Sequence, residues 1–100
     1  MAFSVTQAPP DPVSEGNDVT LTCEVDSKLG WSGLIEWRHG INPGSMKRFG
    51  EPTGTNGSGT LTLHNITRDR AGWYACGGVG TTHDWRTQHS DPIPVIVHCE

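Results

Sequence analysis

Apolar and polar residues alternate strictly in the stretch VTLTCEV (Val19–Val25). Successive side chains of a β-strand point to opposite faces, so this alternation predicts a strand with one buried face. The same pattern recurs in IEW (Ile35–Trp37), in LTL (Leu61–Leu63) and in YAC (Tyr74–Cys76). The chain is therefore expected to form several short, half-buried strands.

The apolar positions of these strands predict the core, which should include Leu21, Trp37, Leu63 and Tyr74. Turn-forming residues separate the strands, as in Pro9–Pro12, Asn42–Gly44 and Gly54–Gly59. Consecutive prolines cannot donate to a ladder, so the opening strand has to break or leave its sheet at Pro9. Short strands joined by such turns, without a stretch of helical periodicity, predict an all-β sandwich or barrel.

The length and the net charge of the chain limit the number of domains and the kinds of partner that can be expected. One hundred residues correspond to one domain, expected to span residues 1–100. Met1-Ala2 before Phe3 suggests a domain excised from a longer, tandem protein. No run of about 18 apolar residues is present, so no direct membrane insertion is expected. The net charge of −4 disfavours nucleic acid as a partner.

Three cysteines, Cys23, Cys76 and Cys99, leave one over after a single pair. This count fits one disulfide in an oxidising compartment or three thiols in the cytosol. The chain has no Cys-X-X-Cys pair, which disfavours a metal site. The glycine-rich stretch Gly77–Gly80 lacks the lysine of a phosphate loop, and no serine stands in a nucleophile elbow. We expect no catalytic residue, no metal and no cofactor.

Four segments together resemble the immunoglobulin superfamily: EGNDVTLTC (Glu15–Cys23), IEW (Ile35–Trp37), LTLHNIT (Leu61–Thr67) and AGWYAC (Ala71–Cys76). They occur in the family's order and cover nearly the whole chain. The short interval between Trp37 and Leu61 resembles the C2 or intermediate set more than a variable domain.

The resemblance implies an antiparallel Greek-key sandwich of two sheets joined by a Cys23–Cys76 disulfide. Trp37 would pack on the disulfide, and the Tyr74 hydroxyl would bond to the backbone of the preceding turn. Arg70 departs from the pattern, because family members usually carry an aspartate there. Cys99 would be left to pair with a second chain or a following domain, or to remain a free thiol.

Tryptophan is frequent in this chain, and the family's fold places three of the four outside the core. Trp31 would lie in the B–C loop and Trp85, followed by Arg86, in the F–G loop, at one end of the sandwich. Trp73 would point outward from the sheet of strands C, F and G. Tryptophan and arginine are enriched in binding hot spots, so these four residues are the predicted partner-binding set. Alternatively, Trp31 and Trp85 cover the sandwich end, and the F–G loop has no partner.

Asn56 and Asn65 each begin the acceptor pattern for N-glycosylation, Asn-X-Ser/Thr, called a sequon. Asn56 falls in a glycine-rich loop. Asn65 lies two residues after Leu63 and four after Leu61, so if the strand continued, its side chain could point into the core with theirs.

By resemblance, the expected function is that of an extracellular or cell-surface recognition or adhesion module of a receptor, serving immunity, adhesion or signalling. The expected partner is a protein ligand, a neighbouring immunoglobulin-like domain or a second copy of the chain. The alternative is a structural spacer in a tandem array, extracellular or cytoskeletal, without a dedicated ligand site. An enzyme is not expected.

Overall fold

The computed structural model describes residues 3–25, 34–52, 58–78 and 89–98. Within these ranges the chain is all-β, apart from one turn of 3-10 helix at Arg68–Arg70. The strands are β1 (Phe3–Ala8), β2 (Val13–Ser14), β3 (Val19–Val25), β4 (Ile35–Gly40), β5 (Lys47–Arg48), β6 (Ser58–Leu63), β7 (Gly72–Gly78), β8 (Ile93–Val95) and β9 (Val97–His98). The predicted all-β class is confirmed.

Two antiparallel sheets form the sandwich. One has the strand order β1-β3-β6 and the other the order β5-β4-β7-β8. The Cys23–Cys76 disulfide joins β3 of the first sheet to β7 of the second, with an S–S distance of 2.05 Å. The predicted inter-sheet disulfide is therefore confirmed. It closes a sequence separation of 53 residues, which in the chain-entropy model stabilises the fold by about 4 kcal/mol.

The proline run redirects the opening strand, as predicted. β1 ends at Ala8, and after Pro9–Pro12 the chain forms β2, which pairs in parallel with β9. The Val13 N–H donates to the Ile96 carbonyl at 2.9 Å. After the prolines the chain thus leaves the first sheet and forms a small two-stranded parallel sheet, β2-β9, beside the sandwich.

The core lies between the two sheets and is built from the inward positions of the alternating strands. Leu21, Trp37, Leu63 and Tyr74 are each at most 1% exposed. They belong to a cluster that also contains Phe3, Val13, Val19, Cys23, Ile35, Ile66, Cys76 and Val95. Leu61, at an inward position of β6, is only partly buried and packs against the edge of this cluster.

The loop predicted through Gly59 is too long, because β6 already begins at Ser58. Gly59 pairs with Cys23 and Ser58 with Glu24. Glycine and serine have low strand propensity, but the ladder with β3 continues through their backbone groups. The adjacent strand therefore overrides the local composition.

Candidate functional site

The turn between β6 and β7 fixes the start of β7. The Tyr74 hydroxyl donates to the Arg70 carbonyl, four residues earlier. The Tyr74 ring lies 4.5 Å from the His39 ring and 5.6 Å from the Phe49 ring, measured between centroids. Burial raises the pKa of Tyr74. This side chain therefore anchors the turn to the core.

Arg70 stabilises the same turn through main-chain contacts. Its guanidinium Nη2 donates to the carbonyls of His64 and Asn65. Asp18 completes the arrangement by accepting the Asn65 N–H at 2.9 Å and contacting His64 Nδ1 at 3.2 Å. The Asn65 N–H, and then the His64 contact, lower the pKa of Asp18. Arginine at position 70 thus replaces the family's aspartate with a different set of bonds.

The outward positions of the four-stranded sheet form what we call the outer face. It consists of Glu36, Arg38, Gly40, Arg48, Trp73, Ala75, Gly77 and Pro94. Alternation along β7 puts Trp73, Ala75 and Gly77 on this face, whereas Tyr74 and Cys76 face the core. Ala75 and Gly77 are both buried, so the exposed surface of this face lies at an aromatic end and a charged end.

The aromatic end is centred on Trp73, which is half-buried. Gly40 and Pro94 are its direct partners on the two neighbouring strands. The Ser45 and Met46 backbone fills the place where a Gly40 side chain would stand, so main chain rather than a cross-strand side chain covers that position on β4. Pro94 is exposed, and Ile96, just beyond β8, is 51% exposed. Apolar surface is thus concentrated at this end.

The charged end contains one carboxylate between two guanidinium groups. Glu36 Oε2 lies 2.7 Å from Arg38 Nε, and Glu36 Oε1 lies 3.4 Å from Arg48 Nε. Arg38 and Arg48 are direct cross-strand partners, an arrangement that repels unless compensated. Glu36 lies between the two guanidinium groups and compensates this repulsion. The Arg48 side chain is 53% exposed.

Ser90 is a structural residue that the sequence analysis missed. It is fully buried; its Oγ accepts the Cys76 N–H at 2.9 Å, and its N–H donates to the Cys76 carbonyl at 2.7 Å. These two bonds attach the chain entering β8 to the disulfide strand. A serine in a polar stretch carries no sequence signal for such a contact.

The charge pattern of the outer face could be inferred only in part. Glu36 and Arg38 alternate with Ile35 and Trp37, which indicates that both point outward. Pairing of Arg38 with Arg48 depends on the β4–β5 register. That register is set by the turn at Asn42, whose Oδ1 accepts the Gly44 N–H at 3.0 Å.

The predicted site residues fall into three groups. Trp73 lies on the outer face, and the core residues and disulfide lie where described above. The predicted inward orientation of Asn65 is wrong, because Asn65 is exposed. β6 already ends at Leu63, and the left-handed φ of 49° at Asn65 interrupts the alternation of inward and outward side chains. The others lie outside the described residues, and their roles stay predictions: Trp31, Asn56, Trp85, Arg86 and Cys99.

The described residues contain no group of three or more His, Cys, Asp or Glu side chains arranged to hold a metal ion. Over the same ranges, no helix is long and apolar enough to span a membrane.

A disulfide-linked two-sheet sandwich with an aromatic and charged sheet face defines a binding or structural module. The family model of the immunoglobulin domain matches residues 4–78, a range that includes both cysteines of the disulfide. The chain therefore belongs to the immunoglobulin domain family. Such domains are generally non-catalytic and commonly mediate interactions between proteins.

Proposed function

We propose that this domain is an extracellular recognition module of a cell-surface or secreted receptor or adhesion protein. It binds an acidic protein partner through the outer face. The observation that carries the proposal is the placement of Trp73 and two arginines on one sheet face of an otherwise negatively charged domain.

Trp73 supplies the apolar contact. Its half-buried indole lies beside the exposed Pro94 on β8, so a partner surface can cover the ring and Pro94 together. Tryptophans of this kind often contribute 2 kcal/mol or more to binding, measured as the loss on truncation to alanine. That loss corresponds to about a thirtyfold weaker affinity.

Arg38 and Arg48 select the charge of the partner. Glu36 occupies the Nε side of each guanidinium, and Arg48 extends into solvent. A guanidinium can bind a carboxylate through two parallel hydrogen bonds. An acidic side chain on the partner would therefore pair with the exposed Arg48 guanidinium.

The disulfide supports an extracellular compartment. Disulfides persist in oxidising environments and are rare in the cytosol. A disulfide-linked immunoglobulin domain is typical of extracellular proteins.

The predicted loop anchors remain part of the proposal as a second contact region. Trp31, Trp85 and Arg86 would extend the binding surface at the end of the sandwich where the B–C and F–G loops meet. Alanine variants at these positions belong in the same binding assay as those of the outer face.

The test starts from a multimeric form of the domain, screened against individually expressed ectodomains from the source organism. Affinities for a binding ectodomain are then measured at low and high salt for the wild type, Trp73→Ala and Arg48→Glu. Thr62→Ala, on the opposite sheet, is the matched control. We expect both outer-face variants to bind at least about tenfold more weakly and Arg48→Glu to lose most of the salt dependence, with the control unchanged.

Three outcomes would contradict the proposal. Folded Trp73→Ala and Arg48→Glu variants that bind like the wild type would show that another surface binds. Self-association in sedimentation that is lost in Trp73→Ala would identify a second copy of the chain as the occupant. An ectodomain screen without a binding partner would favour the structural spacer.

A further inference from the structure

We propose that Asn65 carries an N-linked oligosaccharide. The sequon Asn65-Ile66-Thr67 supplies the acceptor pattern, and the structure supplies an exposed asparagine at its first position. The inference concerns a modification site rather than the binding face. It rests on the extracellular compartment in the proposed function, because the sugar is added in the secretory pathway.

Backbone contacts on both sides turn the Asn65 side chain out of the sheet. Its N–H donates to Asp18 Oδ1 at 2.9 Å, and its carbonyl accepts from Arg70 Nη2 at 3.0 Å. Between these bonds the residue adopts a φ of 49°, a conformation that asparagine tolerates better than most residues. The side chain therefore leaves the alternation of β6 and faces solvent.

The Asn65 amide has room for a substituent. Even a Cβ added to Gly16 would lie no closer than 3.7 Å to Asn65 Oδ1, an ordinary van der Waals distance. Asn65 Nδ2, the atom to which the sugar attaches, makes no hydrogen bond to a residue that the structure describes. A glycan at this nitrogen would therefore break no described contact.

When the domain folds, one of the other two sequon residues becomes buried and the other forms a side-chain hydrogen bond. Ile66 is fully buried in the core cluster, and the Thr67 hydroxyl donates to Asp69 Oδ1. Sugar transfer needs the threonine and the backbone beside the acceptor to be accessible. The modification should therefore precede closure of the turn between β6 and β7.

Chain order permits this sequence of events. Tyr74 and Cys76, which belong to the core cluster around Ile66, follow the sequon in the chain. During synthesis Asn65 therefore emerges before Ile66 can be buried and before Cys76 can pair with Cys23. The sequon is open at the stage when the transferase encounters it.

The chemistry is a substitution at the anomeric carbon of a lipid-pyrophosphate-linked oligosaccharide. Asn65 Nδ2 forms the new N–C bond and gives one proton to a base of the transferase. The C–O bond to the pyrophosphate breaks, and the lipid pyrophosphate leaves with that bond's electron pair.

The experiment expresses the chain behind a vector-encoded leader in eukaryotic cells and measures the intact mass of the secreted protein. An Asn56→Gln background isolates Asn65. We expect a glycan whose removal by peptide N-glycosidase leaves aspartate at position 65. Thr67→Ser, which keeps the sequon, should retain the glycan, whereas Thr67→Ala and Asn65→Asp should lose it. Aspartate preserves the left-handed conformation, so its loss of glycan would not reflect misfolding.

Asn56→Gln protein that is secreted with its disulfide but carries the bare polypeptide mass would overturn the proposal. A second arm delays folding with mild reductant during expression, which should leave Asn65 occupancy equal or higher. A fall in occupancy would overturn the order of events. These readouts do not depend on the outer face, so failure of the binding proposal and failure of this one are distinguishable.

Discussion

Replacement of Tyr74 by phenylalanine tests how the turn between β6 and β7 is held. The variant loses the hydroxyl that donates to the Arg70 carbonyl but keeps the ring, with its contacts to His39 and Phe49. Loss of the bond costs about 1 kcal/mol, and leaving a half-buried carbonyl without its donor adds about 1 kcal/mol. We expect the free energy of unfolding to fall by about 2 kcal/mol and the melting temperature by about 10 °C.

Urea unfolding followed by tryptophan fluorescence measures this change, and the slope of the transition should stay constant because the buried area does not change. Thr60→Val is the matched control: it removes an exposed strand hydroxyl and should shift the free energy by less than about 0.5 kcal/mol. A Tyr74→Phe variant as stable as this control would refute the role assigned to the hydroxyl.

Tyr74 is the sole tyrosine, and burial raises its pKa. Its contribution to stability is therefore complete below the unfolded pKa of about 10 and is lost as the pH rises towards the folded pKa. Absorbance titration of folded protein should therefore show no tyrosinate at about pH 11, whereas protein unfolded in urea should titrate with the ordinary midpoint of about 10. Identical titration curves for folded and unfolded protein would contradict this prediction. Gly72→Ala should cost at least about 2 kcal/mol in urea unfolding, because φ is +129° and the new Cβ would lie 2.6 Å from the Gly40 carbonyl oxygen. Gly50→Ala, at a φ of +78° in open space, should cost only about 1 kcal/mol, and equal losses would argue against the steric reason. Glu36→Gln should lower the free energy of unfolding by about 1 kcal/mol, more at low salt, because two opposed arginines lose their shared carboxylate; a salt-independent change would contradict this.

Alternation was sufficient for strands β3, β4, β6 and β7 and for the inward residues on them, because alternation and burial are coupled through the strand geometry. Leu21, Trp37 and Leu63 could be assigned inward from period-two alternation, and the same alternation put Trp73 outward. This logic failed at Asn65, because a single left-handed residue ends the periodicity on which it depends.

Apart from the disulfide, which the family resemblance implied, contacts between segments distant in the sequence were not predictable. The bond from the Cys76 N–H to Ser90 Oγ and the pairing of Arg38 with Arg48 both depend on register between strands. A local pattern fixes which face a side chain occupies but not which residue lies opposite. The charged end of the outer face therefore required the structure.

On strand β7, the residues that face the core and the residue that faces outward have different roles, one in stability and the other in recognition. Its inward residues Tyr74 and Cys76 hold the turn and the disulfide, while Trp73 points to the outer face. Consequently Trp73→Ala should weaken binding with a small change in stability, and Tyr74→Phe should do the reverse. Adjacent substitutions on one strand thus serve as each other's controls. A Trp73→Ala variant that unfolds at the wild-type urea concentration but fails to bind would separate the two roles, whereas parallel losses of stability and binding would make Trp73 a structural residue.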